Sequence, residues 1–278
     1  MIATLIIVFR EIIEAGLIVG IVLAATEGIP RRGVWIASGV LAGIVGAALV
    51  AGFARSISDA LAGIGQEMFN VAILAAAVVM LTWHNVWMAR HGREISQHMK
   101  TVGDDVAAGR RPLAALATVV AIAVLREGSE IVLFLYGIAI SGTETSSAMM
   151  MGGLLGLALG AALASVMYMG LVRVPVRQLF RVTSVLIALL AAGMATQAVA
   201  FLEQADIVTV LSRAVWNTSR FVSDGSMTGR VLHTLIGYTD RPSEMQLLVY
   251  GGTLLVMFVL MRFFGSAPPP AGIPAAKQ

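Results

Sequence analysis

The sequence predicts an all-α, polytopic membrane protein of about seven transmembrane helices, arranged as two inverted three-helix repeats followed by a C-terminal helix. Three observations predict it. Of the 278 residues, 58% are hydrophobic and only 13% charged, with a mean hydropathy of +0.87, which is more apolar side chain than one soluble core covers. Apolar runs of about 20 residues, the length that crosses roughly 30 Å of hydrocarbon, recur along the chain. A charged motif in the first run returns in the fourth, at an offset of 116 residues.

Hydropathy and polar breaks place the spans at about 2–26, 34–55, 67–90, 112–140, 149–172, 179–202 and 246–264. The first run lacks a basic leader and carries Arg10, Glu11 and Glu14 where a secretory signal is apolar, so it reads as a retained helix. The second has a stripe of small residues at four-residue spacing, Gly39, Gly43, Ala47 and Ala51. The fifth has another, Gly152, Gly156, Gly160 and Ala164, as close helix packing in lipid requires. Because the first and fourth helices are three spans apart, they cross in opposite directions, and the halves are expected to be inverted repeats. One permease domain is expected over 1–265: repeat one about 2–90, repeat two about 112–202, an external loop about 203–245 and the last helix. The loop, with Trp216, Phe221 and a Ser223-Asp224-Gly225-Ser226 turn, reads as a short external helix or cap. Residues 266–278, rich in Pro and Ala, read as a disordered cytoplasmic tail.

Lys and Arg set the orientation. Twelve of them, from Arg31 and Arg32 to Arg262 and Lys277, fall in one set of loops and the tail; five, Arg55, Arg213, Arg220, Arg230 and Arg241, fall in the other. The positive-inside rule then puts the N-terminus outside and the C-terminus in the cytoplasm. With no cysteine, disulfides and thiolate metal sites are excluded. The pI near 9.7 follows from this loop bias and is no argument for nucleic acid.

The motifs carry the chemistry. At 100° per residue, Arg10, Glu11 and Glu14 lie within an arc of about 100° on one helix face, and Arg126, Glu127 and Glu130 repeat the pattern. An ionised residue at a helix centre costs about 2.5–3.5 kcal/mol on insertion scales, so six cost on the order of 15 kcal/mol unless they face one another, water or an ion. Pairing Arg10 with Glu14 and Arg126 with Glu130 as packing ion pairs still leaves one carboxylate per helix. Four glutamates converging from antiparallel helices offer oxygen ligands to a hard cation, with Arg10 and Arg126 orienting them.

Arg10-Glu11-Ile12-Ile13-Glu14 and Arg126-Glu127-Gly128-Ser129-Glu130 resemble the paired motifs of the high-affinity iron permease family. The resemblance continues through Gln66-Glu67-Met68-Phe69, Leu81-Thr82-Trp83, Thr183-Ser184, Ala191-Ala192-Gly193, Ile236-Gly237-Tyr238 and Pro242-Ser243. Ile12 stands where the family usually has glycine, and Asn70 where bacterial relatives often have a second acidic residue. The resemblance implies a permease rather than an enzyme, in the inner (plasma) membrane, with iron ions as substrate and no cofactor. It also implies metal contact at Glu11, Glu14, Glu127 and Glu130, support from Arg10 and Arg126, and an extracytoplasmic iron-binding or iron-oxidising partner. Glu67, at the outer start of the third helix, reads either as a first contact for iron or as a charge complementing the helix dipole.

Two rivals stand beside this reading. One is a permease for another divalent metal such as lead, manganese or zinc, which oxygen ligands alone do not separate from iron. The other is an intramembrane carboxylate di-iron enzyme, although no histidine follows a motif glutamate by three residues. His84, inside the third helix, reads as a packing histidine bonded to a neighbour ahead of a ligand or proton carrier; His91, His98 and His233 read as loop residues. The fifteen methionines read as gap fillers rather than copper ligands. Acidic loop residues such as Glu144, Glu203, Asp224 and Asp240 read as solvated charge.

Overall fold

The computed structural model describes residues 1–61, 66–142, 144–170 and 176–264; the expected disordered tail lies outside them. Among the described residues the order is α1 (Ile2–Ala25), α2 (Arg32–Leu61), α3 (Gln66–Ala107), α4 (Ala114–Ser141), α5 (Ser146–Tyr168), α6 (Val176–Gln204), α7 (Met227–Ile236) and α8 (Glu244–Phe264). The chain is an all-α polytopic membrane protein. α2, α3, α5, α6 and α8 each contain a stretch long and apolar enough to cross a membrane. α1, of 24 residues, and α4, of 28, are also long enough, and what interrupts them is the charged triplet each carries.

Packing is reciprocal between the halves: α1 runs along α5, and α4 runs along α2. The small-residue stripes make both contacts. Gly152 meets the backbone of Met1, Gly156 meets Leu5 and Phe9, and Gly160 meets Phe9 and Ile12, while Gly39 meets Ala117 and Gly43 meets Ala121 and Val124. Contacts that advance together in both chains mean parallel neighbours. Since short turns join α1 to α2 and α4 to α5, α1 and α4 run in opposite directions. A Cβ on Gly152 would lie 2.3 Å from the carbonyl oxygen of Met1, so only glycine admits this approach.

Three parts of the structure differ from the sequence reading. α3 continues for 42 residues, about 63 Å, where a basic loop was expected after residue 90. Its extension has one buried or half-buried stripe, Ile95, Met99, Val102 and Val106, and Met99 and Val106 pack in a cluster with Val22 of α1 and Leu116 of α4. Hydropathy ends where the membrane does, and this helix does not. His98 therefore lies on a helix, as does His233 on α7. Glu144 is not solvated: its side chain is 2% exposed, accepts hydrogen bonds from Ala3 N at 2.9 Å and Thr4 Oγ1 at 2.5 Å, and pairs with the Met1 ammonium. A carboxylate at a helix N-terminus meets its unsatisfied N–H groups and its dipole.

The short helix of the 203–245 segment forms as α7, and it inserts beside α6. A Cβ on Gly193 would lie 2.9 Å from Cα of Gly237, the left-handed residue that ends α7 at φ 66°. Gly193 precedes the end of α6 by 11 residues, about 16 Å, and the 10 residues of α7 span about 15 Å. α7 thus descends from the level of Gln204 to the middle of α6, and residues 237–243 climb back. At the top, Glu203 accepts from Ser243 Oγ at 2.6 Å and Gln246 Nε2 at 2.8 Å.

Candidate metal centre

The antiparallel crossing of α1 and α4 brings their motifs face to face, with α3 packed against both. Both i,i+4 pairs form. Arg10 Nε lies 2.9 Å from Glu14 Oε1, and Arg126 Nε donates to Glu130 Oε1 at 3.1 Å. Glu11 and Glu127 then stand against each other at the centre, 0% and 3% exposed. The pairing expected as a packing device is present, and it leaves these two carboxylates over.

The motifs are enclosed unequally. The side chains of Arg10 and Glu14 are each 2% exposed, whereas Arg126 is 33% and Glu130 13% exposed. Arg126 carries its guanidinium over the Trp87 ring, 4.0 Å from its centre, an arrangement in which the aromatic face offsets lost hydration. Trp87 also lines an apolar groove of about 770 Å³ between α3 and α8, together with Val78, Trp83, Leu248 and Val256. Among the described residues no carboxylate lines that groove.

Two sets of ligand atoms come together, each within 4.8 Å: Glu11, Glu14 and His84, and Glu11, Glu127 and Glu130. All four motif glutamates are gathered, with Glu11 common to both sets. His84 is the residue that the sequence reading set aside. It is 3% exposed, its Nδ1 lies against Glu130 Oε2, and its Nε2 is 3.8 Å from Glu14 Oε2 and 4.0 Å from Glu11 Oε1. Phe134, one turn beyond Glu130, meets the imidazole edge-on with ring centres 6.2 Å apart. The adjacent Asn85 donates from Nδ2 to the Ser184 carbonyl at 3.0 Å and so ties α3 to α6. A polar His84-Asn85 pair at the middle of an apolar span was the available signal. Glu67 is not part of the cluster: it is exposed at the first turn of α3, about 25 Å along the helix from His84.

Ionisable side chains gathered inside an apolar bundle point to a functional site, and comparison with known proteins gives the family. The profile of the iron permease FTR1 family matches residues 1–267. The chain belongs to that family. This iron permease is 30% identical over 279 residues to the ferrous iron permease EfeU of Escherichia coli O6:K15:H31 (strain 536 / UPEC), covering 98% of each chain. It is 29% identical to the ferrous iron permease EfeU of Shigella sonnei (strain Ss046), again over 98% of each. It is 27% identical to that of Yersinia pestis, over 98% of this chain and 97% of the relative. No solved structure matches the permease. The permease is a transporter rather than an enzyme, and iron is its substrate.

Proposed function

We propose that the permease imports ferrous iron into the cytoplasm through Glu11, Glu14, Glu127 and Glu130. The observation that carries this reading is the meeting of four carboxylates inside an apolar bundle, in two sets that share Glu11 and are each compact enough to hold one ion. When ionised, four glutamates against two arginines leave a formal charge of −2, which one divalent cation neutralises. Arg10 and Arg126 hold the carboxylates in place and limit their repulsion between passages. The greater exposure of Glu130 supports uptake at the second motif, followed by transfer through the shared Glu11 to the first.

Oxygen ligands serve manganese, zinc or lead as well; membership of an iron permease family, and relatives named for ferrous iron, favour iron. The same membership weighs against an intramembrane di-iron enzyme. The permease lies in the inner (plasma) membrane with its N-terminus outside and C-terminus in the cytoplasm. Glu67 at the outer face is the first contact for ferrous iron handed over by an extracytoplasmic iron-binding protein, since an iron-oxidising partner would deliver the ferric ion instead. No cofactor takes part.

The test is radioactive iron uptake into proteoliposomes of the purified permease, with ferrous iron under reductant and ferric iron separately. Manganese, zinc and lead serve as competitors. Ferrous uptake that resists competition and falls by about tenfold or more in a Glu11→Gln, Glu127→Gln double variant is expected. Uptake of another metal in place of iron, or an unaltered rate in the double variant, would sink the reading.

A further inference from the structure

We propose that His84 is itself an iron ligand, supplying Nε2 to an ion held by Glu11 and Glu14, while its Nδ1–H donates to Glu130. This rests on the reading that the motif glutamates hold iron, and deepens it by making the path chemically asymmetric.

The geometry is that of a metal-binding histidine. The two ring nitrogens point to different motifs: Nδ1 to Glu130 on α4, Nε2 to Glu11 and Glu14 on α1. A carboxylate against Nδ1 fixes the proton there and turns the Nε2 lone pair outward, the partnership that histidines bound to metals regularly make with a carboxylate. That lone pair then faces carboxylate oxygens at 3.8 and 4.0 Å, where no direct bond forms. Two ligand atoms each roughly 2.1 Å from a shared ion stand about 3.0 Å apart at right angles and about 4.2 Å apart when opposed. Both separations fall in that window. The imidazole is buried, and Phe134 on α4 and the Asn85 tie to α6 hold it where it is. Among the described residues, no hydrogen bond of good geometry reaches Nε2 or either oxygen of Glu14.

The consequence is two unlike centres joined by Glu11. The set of Glu11, Glu127 and Glu130 is all oxygen and accepts any hard divalent ion. The set of Glu11, Glu14 and His84 mixes oxygen with an imidazole nitrogen, which suits iron and disfavours Mg²⁺ and Ca²⁺. An ion moving from the first to the second is tested for its taste in donors inside the membrane. Because α3 supplies the nitrogen and α6, its counterpart in the second repeat, supplies none to either set, the selection falls on one side of an otherwise reciprocal frame.

The experiment is X-ray absorption on purified permease loaded anaerobically with ferrous iron, as wild type, His84→Gln, His84→Asn and His98→Gln. Outer-shell imidazole scattering is expected in the wild type and in H98Q. Its loss is expected in H84Q and H84N with an oxygen shell retained, together with ferrous affinity weakened by about tenfold or more and uptake newly inhibited by excess magnesium. An oxygen-only shell in the wild type, or imidazole scattering that survives in H84Q, overturns the assignment of His84 alone and makes it an ion-pairing strut. An oxygen-only shell in the wild type overturns the assignment even if the variants do not fold. A wild type that binds no iron would instead overturn the glutamate reading, and this one with it.

Discussion

Ile12 and Gly128 hold the same place in their motifs, and their neighbours are exchanged in size. Ile12 packs on Gly160 of α5, whereas Gly128 packs on Ala47 of α2, and a Cβ at Gly128 would lie 2.6 Å from the Ala47 Cβ. Either pairing fills the same gap between a motif helix and its neighbour, which accounts for isoleucine where the family usually has glycine. Gly160→Leu is expected to lower stability by about 1–3 kcal/mol or more through overpacking. Ile12→Gly in the same chain should recover part of that loss, since contacting sites are not additive. Thermal unfolding in detergent of the two single variants and the double variant checks it; losses that simply add would mean that the two residues do not share the gap. The same scale shows what the sequence disclosed. Six charges in apolar runs admit few meanings, so both motifs could be read directly. For His84 the sequence favoured packing over ligation, because its partners lie 46 and 70 residues away at Glu130 and Glu14, on helices whose approach no local pattern encodes.

Among the elements, α7 is the one whose placement local pattern left open. Its capping signals are plain enough: Ser226 accepts from Gly229 N at 2.9 Å, and Gly237 closes the helix in the left-handed conformation. Its insertion depends on Gly193 and Gly237 meeting without side chains, a long-range coincidence. The chain enters and leaves this element through a neck where Asp224 and Asp240 cross. Asp240 N donates to Asp224 Oδ1 at 3.0 Å, and Asp224 N lies 3.4 Å from Asp240 Oδ2. Burial first, and the Asp240 charge second, raise the Asp224 carboxyl above its ordinary value. A folded-state value above the unfolded one means that the neck is firmest in acid and loosens as pH rises through the folded value. Asp224→Asn keeps an acceptor for Asp240 N and removes the repulsion, so at neutral pH it should slow hydrogen exchange over residues 218–243 and flatten its pH dependence. Exchange equal to wild type at both neutral and acid pH would show that the two carboxylates do not strain the neck.

At the scale of the molecule, the described junctions agree on two faces. Met1, Glu144, Glu203, Ser243 and the neck of α7 belong to one; the α1–α2 turn, the α3 extension and the start of α4 belong to the other. The contacts of Glu144 with Ala3 and of Gly103 with Ala25 fix that division independently of charge. The positive-inside rule makes the second the expected cytoplasmic face, because Arg31, Arg32, Lys100, Arg110, Arg111 and Arg262 gather there. Arg32 also donates to the Leu23 carbonyl at 2.8 Å, placing a cation at the C-terminal end of α1, where the helix dipole favours it. With no native cysteine, single replacements report without background. Ser212→Cys, exposed before α7, is expected to react with an impermeant maleimide in intact cells. Thr101→Cys, exposed on the α3 extension, is expected to react only after the membrane is opened. The reverse pattern would turn the molecule over and put Glu67 and the neck of α7 in the cytoplasm. The more exposed second motif would then be the point of release rather than of uptake, and the order of the two ligand sets along the iron path would be inverted.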